Sequence, residues 1–182
     1  MTIVAFGDSL SAGYGLENAY SFPVVLEKAL HEAGYAVRVS NAGVSGDTSA
    51  GGRARIGWTL ADSPQVLILE LGANDALRGL SPKTLRENLA AIIRAAQKNG
   101  TRVLLTGMQA PRNMGSDYAS QFDAIYPALA REFAVPLYPF FLDGVAMDPT
   151  LNQKDGMHPN AEGVRIIVSR ILPHVTALLD SL

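Results

Sequence analysis

Thr2-Ile3-Val4-Ala5-Phe6, followed by Gly7-Asp8-Ser9-Leu10-Ser11, decides how the rest of the chain is read. Four consecutive apolar residues, Ile3 to Phe6, describe a strand buried on both faces, as in a parallel sheet. Gly7-Asp8-Ser9 ends it. A turn directly after a buried parallel strand opens at the carboxyl edge of the sheet, where open α/β folds hold their sites. Ser9 is therefore a hydroxyl at a functional edge. Taken alone, Asp8-Ser9 more often makes a turn or a helix cap.

Outward from this stretch, strands and helices alternate. Phe22 to Ala33 carries Val24, Val25, Leu26, Ala29 and Leu30 at helical spacing, with Pro23 in the first turn and Gly34 at the end. His31 falls on its polar side, as a solvated surface residue. Val37-Arg38-Val39 is a short second strand. Thr48 to Leu60 reads as a helix with Arg53 and Arg55 outward. Val66 to Leu71 is the strongest strand. Ser81 caps a helix that Pro82 opens, with Leu85, Leu89, Ile92, Ile93 and Ala96 inward. Val103 to Thr106 is the fourth strand, Gly107 to Ser116 a loop, and Asp117 to Phe133 a helix. Val135 to Tyr138 is the fifth strand. Pro139 to Met157 holds too many Pro, Asp and Gly for a long element. Pro159 to Leu179 closes the chain as a helix in which Pro173 introduces a kink. This alternation predicts one α/β domain over residues 1–182: a parallel five-stranded sheet with helices on both faces.

Composition removes several function classes. The 15 Lys+Arg and 17 Asp+Glu give a net charge of -2, with no basic stripe for nucleic acid and no polybasic run for a membrane surface. No apolar run is long enough for stable insertion in a bilayer. The absence of cysteine excludes thiol nucleophiles, disulfides and cysteine metal sites. Neither a P-loop nor a fitted Gly-x-Gly-x-x-Gly is present, so nucleotide binding lacks its signatures. Met1 leads straight into the first strand, as it would in a mature exported chain restarted at a new Met.

The polar residues fall at one place. The first three strands end in small polar turns that carry Ser9, Gly43 and Asn74, and in a parallel sheet these turns share an edge. The loop Asp155-Gly156-Met157-His158-Pro159 arrives there as well. Acyl transfer by serine needs a base, a carboxylate that orients the base, and donors aimed at the oxyanion. Of the three histidines, His31 and His174 lie within helices, which leaves His158 at the edge. Asp155, three positions earlier, can reach its Nδ1. The Ser9 and Gly43 backbone N–H groups and the Asn74 amide are the oxyanion donors. One histidine among scattered carboxylates makes a poor metal site, so neither metal nor cofactor is expected.

Four ordered blocks resemble those of the SGNH hydrolases, also called GDSL esterases: Gly7-Asp8-Ser9-Leu10, Asn41-Ala42-Gly43-Val44-Ser45-Gly46-Asp47-Thr48, Gly72-Ala73-Asn74-Asp75 and Asp155-Gly156-Met157-His158-Pro159. The likeness is greatest to the bacterial periplasmic branch of acyl-CoA thioesterases, lysophospholipases and arylesterases. The resemblance implies a flavodoxin-like αβα fold, Ser9 as nucleophile, His158 as base, Asp155 as its orienter, and an oxyanion hole of Ser9, Gly43 and Asn74. It also implies export to the periplasm or beyond.

The expected partner is a small acyl ester, with short- to medium-chain acyl and aryl esters, thioesters and lysophospholipids all compatible, and the chain is expected to act as a monomer. Leu77, Met108, Pro111, Phe140, Phe141 and Met157 are candidates to line an acyl groove. The alternatives are a carbohydrate acetylesterase and a non-catalytic flavodoxin-like ligand-binding domain.

Overall fold

The computed structural model describes residues 1–182. Five parallel strands form its sheet: β1 (Thr2–Gly7), β2 (Arg38–Gly43), β3 (Val66–Leu69), β4 (Arg102–Thr106) and β5 (Leu137–Tyr138). Their order is β2-β1-β3-β4-β5. The chain thus leaves β1 first to one side and then to the other, and the crevice between β1 and β3 is the point where ligands gather in such sheets. Gly7 pairs with Gly43, and Phe6 pairs with Leu69. The turns after β1, β2 and β3 therefore emerge side by side.

Eight helices complete the fold: α1 (Ser9–Ala12), α2 (Phe22–Glu32), α3 (Ser49–Leu60), α4 (Ala73–Leu77), α5 (Pro82–Lys98), α6 (Ser116–Asp123), α7 (Ile125–Phe133) and α8 (Ala161–Leu179). Helices α3 and α5 pack on each other, as do α2 and α8. Between the layers, 44 buried apolar residues form one continuous core. Every residue of β3 is fully buried. Truncating Leu67 or Ile68 to alanine there costs about 2–5 kcal/mol by the usual core penalty. No helix is long and apolar enough to cross a membrane.

The departures from expectation are local. Strand β2 runs on to Gly43, because Ser40 to Gly43 continue the ladder with β1. Strand β5 shrinks to two residues, since Pro136 has no N–H for a ladder. The helix expected over 117–133 breaks at Ala124, where Pro127 cannot donate to the carbonyl four residues back. Ser81 stands at the N-cap of α5, but its hydroxyl makes no capping bond. Pro173 lies inside α8 without ending it. Arg55 does not face outward. Its guanidinium lies over the Phe6 ring and donates to Asp47 Oδ2 (2.7 Å), Ala42 O (2.7 Å) and Gly7 O (2.9 Å). That one side chain fastens the carboxyl ends of β1 and β2 together beneath the polar turns. His31 is exposed as expected, with its Nε2 on Val37 O.

Candidate active site

Ser9 is the first residue of α1, and Asp8 is its N-cap, accepting the Leu10 N–H at 3.0 Å. The cap and the candidate hydroxyl thus coexist in one dipeptide. Ser9 is 9% exposed. Its Oγ lies 2.9 Å from His158 Nε2, and His158 Nδ1 lies 2.7 Å from Asp155 Oδ2. The other Asp155 oxygen accepts the N–H groups of Met157 (2.9 Å) and His158 (3.0 Å). Those backbone bonds, and then the imidazole, hold the Asp155 carboxyl down to about 2. Ser9 and the Asp155–His158 pair, from opposite ends of the chain, form one hydrogen-bonded line.

The proposed oxyanion donors stand on the neighbouring turns. Asn74 lies in α4, and one proton of its amide goes to Asp8 Oδ2 at 3.0 Å. The Gly43 N–H donates to Asn41 Oδ1 at 2.9 Å. The Ser9 N–H is a first-turn donor, which a helix leaves without an internal acceptor. Gly43 has a packing reason to lack a side chain: a Cβ there would stand 2.2 Å from the Ala12 backbone nitrogen. Turn and helix α1 could not otherwise approach each other.

Beneath Ser9 two carboxyl groups are fully buried. Glu70 Oε2 accepts the Asp8 N–H at 3.2 Å and the Ser11 hydroxyl at 2.9 Å, while its Oε1 has no partner. Burial pushes Asp8 up to about 6, against the pull of its bonds from Leu10 and Asn74. Burial, and then the Asp8 charge, raise Glu70 well above the ordinary carboxylate range. A third buried carboxylate, Asp75, accepts the Ser49 N–H (2.8 Å) and hydroxyl (2.6 Å) and ties the Asn74 turn to α3. No three His, Asp or Glu side chains are grouped to hold a metal ion.

The family model for the GDSL-like lipase/acylhydrolase family matches residues 5–166. The chain belongs to this family. It is similar to esterase TesA of Pseudomonas aeruginosa, with 41% identity over 98% of this chain and 89% of that one. It is 37% identical to thioesterase 1/protease 1/lysophospholipase L1 of Escherichia coli K12, covering 98% of this chain and 85% of the relative. Among solved structures, the SGNH-hydrolase family esterase AlinE4 superposes with a TM-score of 0.83 at 49% identity, over 98% of this chain and 96% of that one. This GDSL-family chain is an acyl ester hydrolase with the parallel αβα architecture that its motifs implied.

The candidate groove divides. Leu77 and Met157 are exposed beside Asn74 and His158, and Pro111 and Phe140 are half-buried. Phe141 is corrected out of the groove: it is fully buried and packs edge-on against Phe22 at 5.0 Å. Met108 is likewise a core residue, 3% exposed. Both carry enough apolar surface to be drawn under the loops they begin, which their loop position in sequence hides. Two exposed apolar residues escaped the sequence reading: Val44, next to Gly43, and Tyr14, whose ring centroid lies 4.6 Å from that of His158. A separate shallow cleft at the amino edge of β4, lined by Gln97, Arg102 and Phe133, holds none of this chemistry.

Proposed function

We propose that this GDSL-family hydrolase cleaves its esters through an acyl-enzyme on Ser9. The observation that carries the proposal is the unbroken line Ser9 Oγ, His158, Asp155 at 2.9 and 2.7 Å. His158 Nε2 takes the hydroxyl proton as Oγ attacks the ester carbonyl, and the same proton then goes to the leaving alkoxide or thiolate. Asp155 keeps Nδ1 protonated and faces the cation formed in between. Water, deprotonated by the same imidazole, releases the acid. The oxyanion is received by the Ser9 N–H, the free proton of the Asn74 amide, and the Gly43 N–H, which Asn41 Oδ1 must share or release. All these groups come from one chain, so a monomer is sufficient. Export to the periplasm or beyond, implied by the resemblance, belongs to the same reading.

This reading makes a pH prediction. The imidazole must be neutral to accept a proton, so the reaction carries an acid limb. Asp8 must be ionised to present a full acceptor to Asn74, which it is only above about 6. Asp155 stays ionised down to about 2. kcat/KM is therefore expected to fall as pH drops from about 7 to about 5, with no further inflection near 4, and activity persists in EDTA. A carboxylate inflection near 4, or reversible loss on chelation, contradicts the assignment.

The proposed substrates are short- to medium-chain acyl and aryl esters, including thioesters and lysophospholipids with acyl chains of that length. With Phe141 and Met108 in the core, the exposed apolar residues nearest the site in the chain are Tyr14, whose ring lies against His158, and Val44, Leu77 and Met157, which follow Gly43, follow Asn74 by three residues and precede His158. Each methylene that enters an enclosed apolar site gains about 0.8 kcal/mol, but an open rim stops collecting that gain after a few carbons. On one leaving group, kcat/KM is expected to rise or hold through short chains and to fall for long ones. A monotonic rise through long acyl chains would reveal a closed tunnel and overturn this part of the reading.

A further inference from the structure

The segment that delivers the base is weakly built. Residues 139–160 contain no strand beyond a single bridge, Asn152 to Pro159, and Lys154 to Met157 are exposed. Only two hydrogen bonds join residues 150–160 to the nucleophile segment, residues 7–16. One is the Ser9–His158 bond itself. The other runs from Gln153 Nε2 to Tyr14 O at 2.8 Å.

Gln153 is placed to be a clamp. Its backbone N–H donates to His158 O at 2.7 Å. Its Nε2 donates to Pro159 O at 3.0 Å as well as to Tyr14 O, so both amide protons are committed. A turned amide would set its oxygen against two carbonyl oxygens, which fixes the orientation. Its Oε1 occupies the space beside Gly15, where an added Cβ would come within 2.2 Å of it. Tyr14 completes the link. Its N–H donates to Ser9 O at 3.1 Å, its carbonyl accepts from Gln153, and its ring lies against the His158 imidazole at an interplanar angle of 40°. Backbone and ring together make a second path from Ser9 to His158, parallel to the reacting bond.

We propose that Gln153 and Tyr14 are positioning residues that dock the base loop onto the nucleophile turn and hold His158 Nε2 within reach of Ser9 Oγ. The proposal rests on the Ser9–His158 reading above. Without the clamp, the loop is held to the nucleophile by the same weak bond that must break and reform in each turnover. A displacement of about 1 Å at a reacting pair costs on the order of 10²-fold in rate.

The test uses Gln153→Met, which keeps the length and removes both donors, and Gln153→Glu, which replaces the Nε2 donors with oxygen. The expected result is a roughly 10–100-fold lower kcat with KM within about 2-fold, and an equal loss in the rate at which a fluorophosphonate labels Ser9. Tyr14→Ala should show the same loss, and Tyr14→Phe should restore the rate, because the tyrosine hydroxyl makes no bond in the clamp. The deciding arm is the His158→Ala background, where no base is left to position: there Gln153→Met should change the residual rate by less than about 2-fold. Wild-type kcat in a folded Gln153 variant, or an undiminished loss in the His158→Ala background, overturns the proposal. If Gln153→Met does not fold, Gln153→Glu carries the same comparison. Failure of the Ser9 reading would appear separately, as absent labelling of Ser9 in the unaltered protein.

Discussion

Ser9→Ala is expected to leave the protein folded and to lower kcat by on the order of 10⁵–10⁶, the loss seen when a serine nucleophile is removed from such a unit. The fold should survive because the Ser9 hydroxyl has one partner, His158. Asp8 still caps α1, and alanine suits a first helical turn. A change in Tm of no more than a few degrees, with turnover gone, is the expected pair of results. Ser11 could not substitute, because its hydroxyl donates to the buried Glu70 and has no imidazole beside it. Turnover at the normal rate by a folded Ser9→Ala protein would remove Ser9 from the mechanism.

The second large effect lies one turn away. Asn74→Ala should lower kcat by roughly 10²–10³, the usual cost of one oxyanion donor, with little change in KM because the contact matures in the transition state. Asp8 sharpens the test. Its two oxygens accept from Leu10 and from Asn74, and the second bond leaves the remaining amide proton of Asn74 for the oxyanion. Asp8→Asn offers only one acceptor oxygen for these two donors, so the Asn74 amide must turn. Most of the Asn74→Ala loss should reappear in Asp8→Asn, and the double variant should be far less than additive. Additive losses would mean that Asp8 acts elsewhere, and a pure KM effect would make Asn74 a binding residue.

Much of this was legible before the structure. The apolar run Ile3 to Phe6 and the run from Val66 onward specify buried parallel strands by composition alone, and that sheet brings Ser9, Gly43, Asn74 and His158 to one edge without further assumption. The Asp155–His158 spacing was readable for a related reason: a tight turn brings residues three apart into contact. What escaped were side chains whose partners lie far away in sequence. Arg55 sits in a helix at a position that looks solvent-facing, yet it crosses to the carbonyls of Gly7 and Ala42. Glu70 continues an apolar strand, and nothing local says that its carboxyl ends beneath Asp8 and Ser11. Gln153 reaches a carbonyl 139 residues away. Phe141 and Met108 were misplaced because an apolar residue in a loop can line a groove or anchor the loop, and only packing chooses between them. The reason given for glycine at 43 is also incomplete, since the close approach it permits is to the Ala12 backbone.

The central claim is that Ser9 is the group that becomes acylated, activated by His158. The direct measurement is to inactivate the protein with a fluorophosphonate and map the modified residue by peptide mass. One adduct per chain on Ser9 is expected, formed with the loss of activity and slowed by at least 10²-fold in His158→Ala, in line with the loss of a general base. An adduct on Ser11 or Ser45, or full inactivation with Ser9 unmodified, would contradict the account.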